Sequence, residues 1–269
     1  MIVKQIEMIK CFSVDYLSLN IQFENLMEKL IDSVDTKYQT VNCIGDPDRN
    51  DPVLHNFHIL LWSKQLPNGE RFDLVSNGKA PFEFIHESEM GDFLLSSDSI
   101  GHTYSRGTHG KIPNFINEIP VEDIESFFGL CSTIGGYIVF PSRMIDRKHT
   151  INQSRGISPS IKDRFDLTLE CIRRWYIGEG SPLSECIDRY ADFFELFGDF
   201  KGYTEFFLLQ DLVDEETGNI RFWLPFEEFG VSKPLPEDKS EYLEYRNNLS
   251  DFILARNARI DEISIYLQD

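Results

Sequence analysis

The spacing of the apolar residues changes part-way along the chain. In the first half, Phe82 and Phe84 alternate with the polar Glu83, a period of two that predicts a half-buried strand over residues 82–85. In the second half, apolar residues recur every three or four positions, as in 165–176 and 242–253, which predicts amphipathic helices. This order favours an α+β fold, in which a mixed, largely antiparallel sheet built mostly from the N-terminal half packs against helices mostly from the C-terminal half.

Short strands joined by tight turns are expected in the first half. The strand-like segments are 59–62, 71–75, 82–85, 93–95 and 137–140. Asn68-Gly69 predicts a hairpin turn because both residues accept positive φ, and a second turn is expected near Met90-Gly91. The nearly continuous apolar run 137–140 predicts a strand that is buried on both faces.

Helices are expected mainly in the second half. The segments with helical spacing are 15–34, 121–128, 160–176, 181–197 and 239–258. Ser160 is expected to cap the third of these and Gly198 to end the fourth. The prolines and aspartates of 45–52 predict a loop rather than a helix or strand. Residues 206–226 predict a hairpin, with a helical Leu208-Leu209 as the alternative.

Length and composition predict one folded unit. The chain has 269 residues, of which 13% are aromatic, so it can bury a substantial core. We expect a single domain over residues 1–269, with a division near 141–160 as the alternative. A repeating β-α-β pattern and a G-x-G-x-x-G motif after a strand are both missing from the sequence, which counts against a Rossmann domain.

The formal net charge of −19 limits the partners to consider. It argues against broad, non-specific nucleic-acid binding and against binding to anionic lipid, because both need a cationic face. The five cysteines are scattered and form no C-x-x-C pair. The sequence shows neither the apolar core of a secretory leader nor a stretch apolar enough to span a membrane. Reduced thiols in a cytoplasmic protein are therefore expected, and no metal or cofactor is predicted.

One segment reverses the sign of the charge. Residues 143–174 carry eight cationic side chains and four carboxylates. The start of a helix at Ser160 would add free N–H groups suited to phosphate. The predicted anion-binding residues are Arg155, Arg164, Arg173, Arg174 and Asn152. The alternative interpretation is a capped helix whose arginines pair with neighbouring acids, as the four-residue spacing of Glu170 and Arg174 allows.

A second group of polar residues follows a predicted strand. Asp98, His102 and His109 lie in or next to a glycine-rich stretch, and histidine suits acid–base chemistry near neutral pH. These three are the candidate catalytic residues, with ordinary loop polarity as the alternative. His55 and His58 could be ligands on a short helix, although polar residues at a strand edge are the preferred interpretation.

Several stretches resemble a known family. They are Leu61–Glu70, which contains Trp-Ser-Lys-x-Leu-Pro-Asn-Gly-Glu, then Leu95–Asp98, Thr133–Tyr137, Asp163–Arg174 and Leu208–Leu212. Together they resemble a bacterial family described only as a domain of unknown function, over most of residues 50–260. The resemblance implies a bacterial cytoplasmic protein and brings no activity, cofactor or catalytic residue.

Two hypotheses of function follow from these observations. In the first, the protein binds or processes a phosphate-bearing ligand, a nucleotide or a nucleic-acid end, at an arginine-rich helix N-terminus. In the second, it is a non-catalytic protein whose acidic surface docks a basic protein partner. Whether the protein is an enzyme stays open at this point.

Overall fold

We describe the fold from a computed structural model, which describes residues 47–79, 82–88, 91–104 and 114–266. The predicted helix 15–34 and the candidate His109 lie outside these residues. Helices α1 (Pro47–Asn50) and α2 (Pro52–Trp62) come first, followed by strands β1 (Val75–Ser76), β2 (Phe84–Ser88) and β3 (Gly91–Ser99). Helix α3 (Val121–Cys131) then leads through a 3₁₀ turn (Ile134–Gly136) into β4 (Tyr137–Pro141).

The second half of the described chain is helical. Its helices are α4 (Ile151–Ile157), α5 (Phe165–Tyr176), α6 (Ser184–Asp188), α7 (Ala191–Glu195), α8 (Phe200–Phe206) and α9 (Lys239–Tyr266). Further 3₁₀ turns cover Asn114–Glu118 and Gln210–Leu212. The α+β prediction is confirmed, with the strands between residues 75 and 141 and the helices mostly after them.

The four described strands form one antiparallel sheet in the order β1-β2-β3-β4. The predicted hairpin between 82–85 and 93–95 is confirmed as β2 and β3, with Phe84 opposite Leu95. The predicted strand 137–140 is confirmed as β4, in which every residue is buried. Each described pair of neighbouring strands, β1-β2, β2-β3 and β3-β4, is antiparallel.

The N-terminal loop and first strand were predicted wrongly, because both regions are helical. Pro52 stands at the first position of α2, where its missing N–H costs nothing. Asp51 accepts a hydrogen bond from the Leu54 N–H through its side chain at 3.2 Å, as an N-cap residue does. Residues 59–62 are therefore the end of α2, although Asn68-Gly69 does form a tight turn with Gly69 at φ +87°.

Three predictions about the later helices need correction. The helix predicted from Ser160 begins only at Phe165, because Lys162 and Asp163 have positive φ values of 49° and 61°, which a helix cannot include. The single helix predicted over 181–197 is divided into α6 and α7. The predicted hairpin over 206–226 reduces to one bridge between Val213 and Ile220, since α8 occupies residues up to Phe206.

Helices cover both faces of the sheet at β3. Ser97 and Asp98 are neighbours in this strand, so their side chains point to opposite faces. The Ser97 hydroxyl is 2.9 Å from Nε2 of His58 on α2, and the Asp98 carboxylate is bonded by Arg155 on α4. The main hydrophobic core runs from Leu54 to Ile260 and includes both layers.

Within the described residues, no helix is both long enough and apolar enough to cross a membrane.

Candidate functional site

The structure brings together two residues that the sequence assigned to different candidate sites. Arg155 on α4 donates through Nη1 to Oδ2 of Asp98 at 3.1 Å and to the Ser99 carbonyl at 2.8 Å. Its Nη2 donates to the Asp163 carbonyl at 2.7 Å. Arg155 is 1% exposed and Asp98 is 4% exposed. Both charges are therefore enclosed, and the guanidinium is directed at protein acceptors.

Burial controls the ionisation of Asp98. Desolvation raises the pKa of this carboxyl to about 6, although Arg155 and the Ser99 N–H, which donates at 2.8 Å, both oppose the rise. Removing a carboxylate from water penalises its charged form, and here this cost exceeds the attraction of one guanidinium. A carboxyl with a raised pKa suits acid–base chemistry, but this one lies beneath protein rather than in an open cleft.

We predict that the stability of the wild-type protein relative to Asp98→Asn depends on pH between about 4 and 6. The pKa of Asp98 is about 6 when folded and lies above the ordinary value of 3.8, so the folded state holds this proton more tightly than the unfolded chain. Wild-type stability should thus fall, relative to the variant, as pH rises through this window, and stay level above it. Urea unfolding at a series of pH values measures the difference; a constant difference would contradict the raised pKa.

Arg164 and Asp166 form a second buried ion pair at the start of α5. Nε of Arg164 donates to Oδ1 of Asp166 at 3.0 Å, and neither side chain is exposed. The same guanidinium reaches the carbonyls of Pro234 and Leu224, while Oδ2 of Asp166 accepts the Trp223 N–H at 2.9 Å. The pair therefore fixes the segment 223–234 against α5.

Arg173 and Arg174 share one carboxylate. Both donate to Glu170, with Nε of each at 2.7 Å from a carboxylate oxygen. Arg174 also donates to Glu228 at 2.8 Å. The alternative interpretation of the Glu170 and Arg174 spacing as a helical ion pair is thus confirmed.

The start of α4, next to the predicted anion-binding residue Asn152, is capped by the protein itself. Helix α4 has a capping box in which Thr150 Oγ1 accepts the Gln153 N–H and Gln153 Oε1 accepts the Thr150 N–H. Asn152, next to this cap, is exposed. The four arginines do not converge on one point, because Arg155 and Arg164 each pair with a different buried aspartate and Arg173 and Arg174 share Glu170.

His102 lies three residues beyond the end of β3. It is half-buried, its ring centroid is 4.7 Å from that of Tyr104, and its Nδ1 accepts the Tyr104 N–H at 3.3 Å. The main-chain carbonyls of His102 and Thr103 accept hydrogen bonds from Tyr245 and Tyr242 on α9. These contacts join the end of β3 to the last helix.

Comparison with families of known sequence adds one finding to this geometry. A model described as a family of unknown function, DUF6994, matches residues 32–260. This match covers most of the chain. The chain belongs to the DUF6994 family. Comparison with curated proteins finds no match, and comparison with solved structures finds none either.

The DUF6994 chain also contains a buried polar cluster that the sequence patterns did not reveal. Trp62 Nε1 donates to His58 Nδ1 at 2.8 Å, so His58 carries its proton on Nε2 and donates to Ser97. Burial, together with the charge of Arg256, lowers the pKa of His58 well below its ordinary value. The interpretation of His58 as strand-edge polarity is wrong, because it lies on the inner face of α2.

Arg256 completes this cluster from α9. It is fully buried, and its guanidinium donates to the carbonyls of Phe207, Gly135 and Tyr137 while lying 5.6 Å from the centre of the Trp62 ring. Its one sequence signal was a cationic residue three positions after Ile253 in the apolar stripe of the last helix. Such a residue is ordinarily assigned to the solvent face.

Among the described residues, no group of three histidine, cysteine, aspartate or glutamate side chains is arranged to hold a metal ion.

Proposed function

We propose that this protein is a binding protein that docks a basic protein partner on its acidic exterior. The observation that supports this proposal is that the buried charged side chains balance one another. The charged side chains buried among the described residues are Arg155, Arg164, Arg256, Asp98, Asp166 and Glu170. Their charges cancel, so the net charge of −19 is carried by the rest of the chain. A strongly acidic exterior attracts a cationic surface and accelerates its association.

Helix α3 offers the surface best suited to such a partner. Val121 is 63% exposed and Phe128 is 41% exposed. They are seven positions apart, so they lie on one side of the helix, and the exposed Glu125 lies beside them. Glu122 is exposed next to this stripe. Apolar side chains flanked by carboxylates match an amphipathic helix with a basic face.

The start of α9 lies against α3 and also carries acidic side chains. Arg246 of α9 donates to Asp123 of α3 at 3.1 Å, which holds the two helices together. Glu237, Asp238 and Glu244 at this end of α9 are exposed. Acidic side chains therefore lie beyond α3 as well, although Glu237 pairs with Lys233 and the exposed Lys239 lies among them.

The phosphate-ligand hypothesis receives less support from the geometry. Arg155, Arg164, Arg173 and Arg174 each have a carboxylate partner within 3.1 Å. A phosphate at this segment would have to displace those carboxylates, and for the buried pairs that would strand a charge away from water. A bacterial, cytoplasmic setting is part of the proposal. The bacterial origin rests on the family resemblance, and the cytoplasmic setting is supported by Cys131, Cys171 and Cys186, which are buried and form no disulfide.

We predict that Glu122→Lys combined with Glu125→Lys weakens binding of a Lys- and Leu-patterned helical peptide by at least about tenfold. The peptide serves as a defined basic amphipathic probe, and fluorescence anisotropy measures its dissociation constant. Reversing two charges beside Val121 and Phe128 replaces attraction with repulsion where the apolar contact forms. Binding should also weaken with added salt, because exposed charges are screened.

The matched control is Glu215→Lys combined with Glu216→Lys. These two acids are exposed in the turn before Ile220, and the control changes the net charge by the same amount as the test variant. Equal weakening by both double variants would show that the peptide responds only to overall charge, and the α3 surface would then be the wrong assignment. A Val121→Ser and Phe128→Ser variant tests the apolar part at high salt.

A further inference from the structure

A groove lies between the turn after α2 and the start of α8, away from both the basic segment and helix α3. It has a volume of about 600 Å³, a size that accommodates a small molecule. Lys64, Gln65, Leu66 and Pro67 line one side. The other side is lined by Phe197, Gly198, Asp199, Lys201, Gly202, Glu205 and Phe206. Its walls therefore combine apolar surface with a few charged groups.

Most of the charged groups in this groove are already engaged. Asp199 accepts the Gly202 N–H at 2.7 Å and caps α8. Lys201 lies 3.7 Å from Glu205, one turn along the same helix. Lys64 differs from these, because within the described part of the chain its ammonium group has no carboxylate partner. Its Nζ lies 4.6 Å from the centre of the Phe206 ring and 5.2 Å from that of Trp62.

The protein beneath Lys64 makes this position more electropositive. Arg256 lies on Trp62 as well, and its hydrogen-bond acceptors are main-chain carbonyls, so within the described residues no carboxylate neutralises it. Burial, aided by the charge of Arg256, lowers the pKa of Lys64 to about 8. Two cations are thus held near one indole ring, and one of them faces the groove. An anion at Lys64 would relieve the repulsion between them.

We propose that this groove binds a small molecule in which an anionic head, a carboxylate or a phosphate, is joined to an apolar body. The head would pair with Nζ of Lys64. The body would lie against Pro67, which is exposed, and against the small part of Phe206 that reaches the groove wall. This site is separate from the α3 surface, so each can fail without the other. It also assigns the Trp-Ser-Lys-x-Leu-Pro segment a role, since that segment supplies Lys64, Leu66 and Pro67.

Nuclear magnetic resonance of protein labelled at lysine ¹³Cε tests the proposal directly. The Lys64 signal is identified as the one that is lost in Lys64→Gln. Phenyl phosphate and benzoate are the two probes, and they distinguish a phosphate head from a carboxylate head. We expect at least one of them to shift the Lys64 signal saturably and to raise the pKa of Lys64 above about 8, because a bound anion favours the charged amine.

The controls separate the head, the body and the lysine. Lys64→Gln should weaken binding at least about tenfold, and Lys64→Arg should retain it. Lys201→Met should change binding less than about threefold, because a lysine that is 79% exposed stays in water and contributes little to an ion pair. Inorganic phosphate and benzyl alcohol should each bind at least about tenfold more weakly than the better aromatic anion. The proposal is overturned if neither aromatic anion shifts the Lys64 signal at concentrations up to about 20 mM. It is also overturned if Lys64→Gln binds the aromatic anion as tightly as wild type, or if inorganic phosphate binds as tightly as the better aromatic anion.

Discussion

Replacing Asp166 with alanine is expected to lower the free energy of unfolding by about 3–5 kcal/mol. Asp166 is completely buried and accepts hydrogen bonds from Nε and Nη2 of Arg164. It also accepts the Trp223 N–H. The substitution leaves a buried guanidinium without its counter-charge and a buried main-chain donor without an acceptor. Both groups would lose interactions that water cannot replace inside the fold.

The comparison variant is Glu205→Ala, which removes one partner of an exposed ion pair with Lys201. Side chains in that pair are 79% and 55% exposed, and their separation is 3.7 Å. Exposed pairs contribute at most about 1 kcal/mol, so this variant should unfold almost as wild type does in urea. If Asp166→Ala and Glu205→Ala had similar midpoints, the Arg164 pair would not stabilise the fold in the way described.

Buried strands and the last helix could be predicted because their patterns have one structural solution. A continuous apolar run of the length of 137–140 is too short for a helix and fits a strand that is covered on both faces, as β4 is. The stripe of Tyr242, Tyr245, Leu249 and Ile253 has the helical period, and all four are fully buried on α9. In both cases local preference and burial demand the same conformation.

Helix α2 could not be predicted in the same way, because two signals conflict. Its end, Ile59–Trp62, is a continuous apolar run that periodicity alone does not distinguish from a strand. The deciding residues were Asp51 and Pro52, a capping side chain followed by proline at the first helical position. We expected a loop from their composition, whereas their order indicates the start of a helix.

The basic segment shows a different limit of sequence reasoning. Local spacing revealed the pair of Glu170 and Arg174, four residues apart. It could not reveal the pair of Asp98 and Arg155, which are 57 residues apart and meet only because α4 packs on β3. Local sequence charge shows that cations are concentrated in 143–174, but the fold determines whether those cations face a ligand or the protein itself. Lys64 is the opposite case, because it lies outside any cluster of cations in the sequence and yet its side chain faces a groove.

Replacing Gly136 with alanine is expected to lower the free energy of unfolding by about 3 kcal/mol, the upper part of the range for overpacked interiors. A Cβ atom at this position would lie 2.1 Å from the carbonyl oxygen of Cys131, the last residue of α3. That oxygen belongs to the main chain and cannot rotate away. The Gly136 carbonyl also accepts the Ile100 N–H at 2.7 Å, so a displaced turn would disturb the end of β3 as well.

Gly129→Ala is the matched control because it adds the same methyl group within α3. Apart from the neighbouring residues and the backbone of α3 itself, no atom lies within 4 Å of the Cβ position at Gly129, and alanine favours a helix over glycine by about 0.5–1 kcal/mol. We therefore expect Gly136→Ala to lower the free energy of unfolding and Gly129→Ala to raise it, although both variants add the same methyl group. Urea unfolding of both variants measures the two changes. A stabilised Gly136→Ala protein would mean that α3 does not approach β4 as closely as described. That result would contradict the close approach of Gly136 to the Cys131 carbonyl, and with it the description of how helix α3 leads into the sheet.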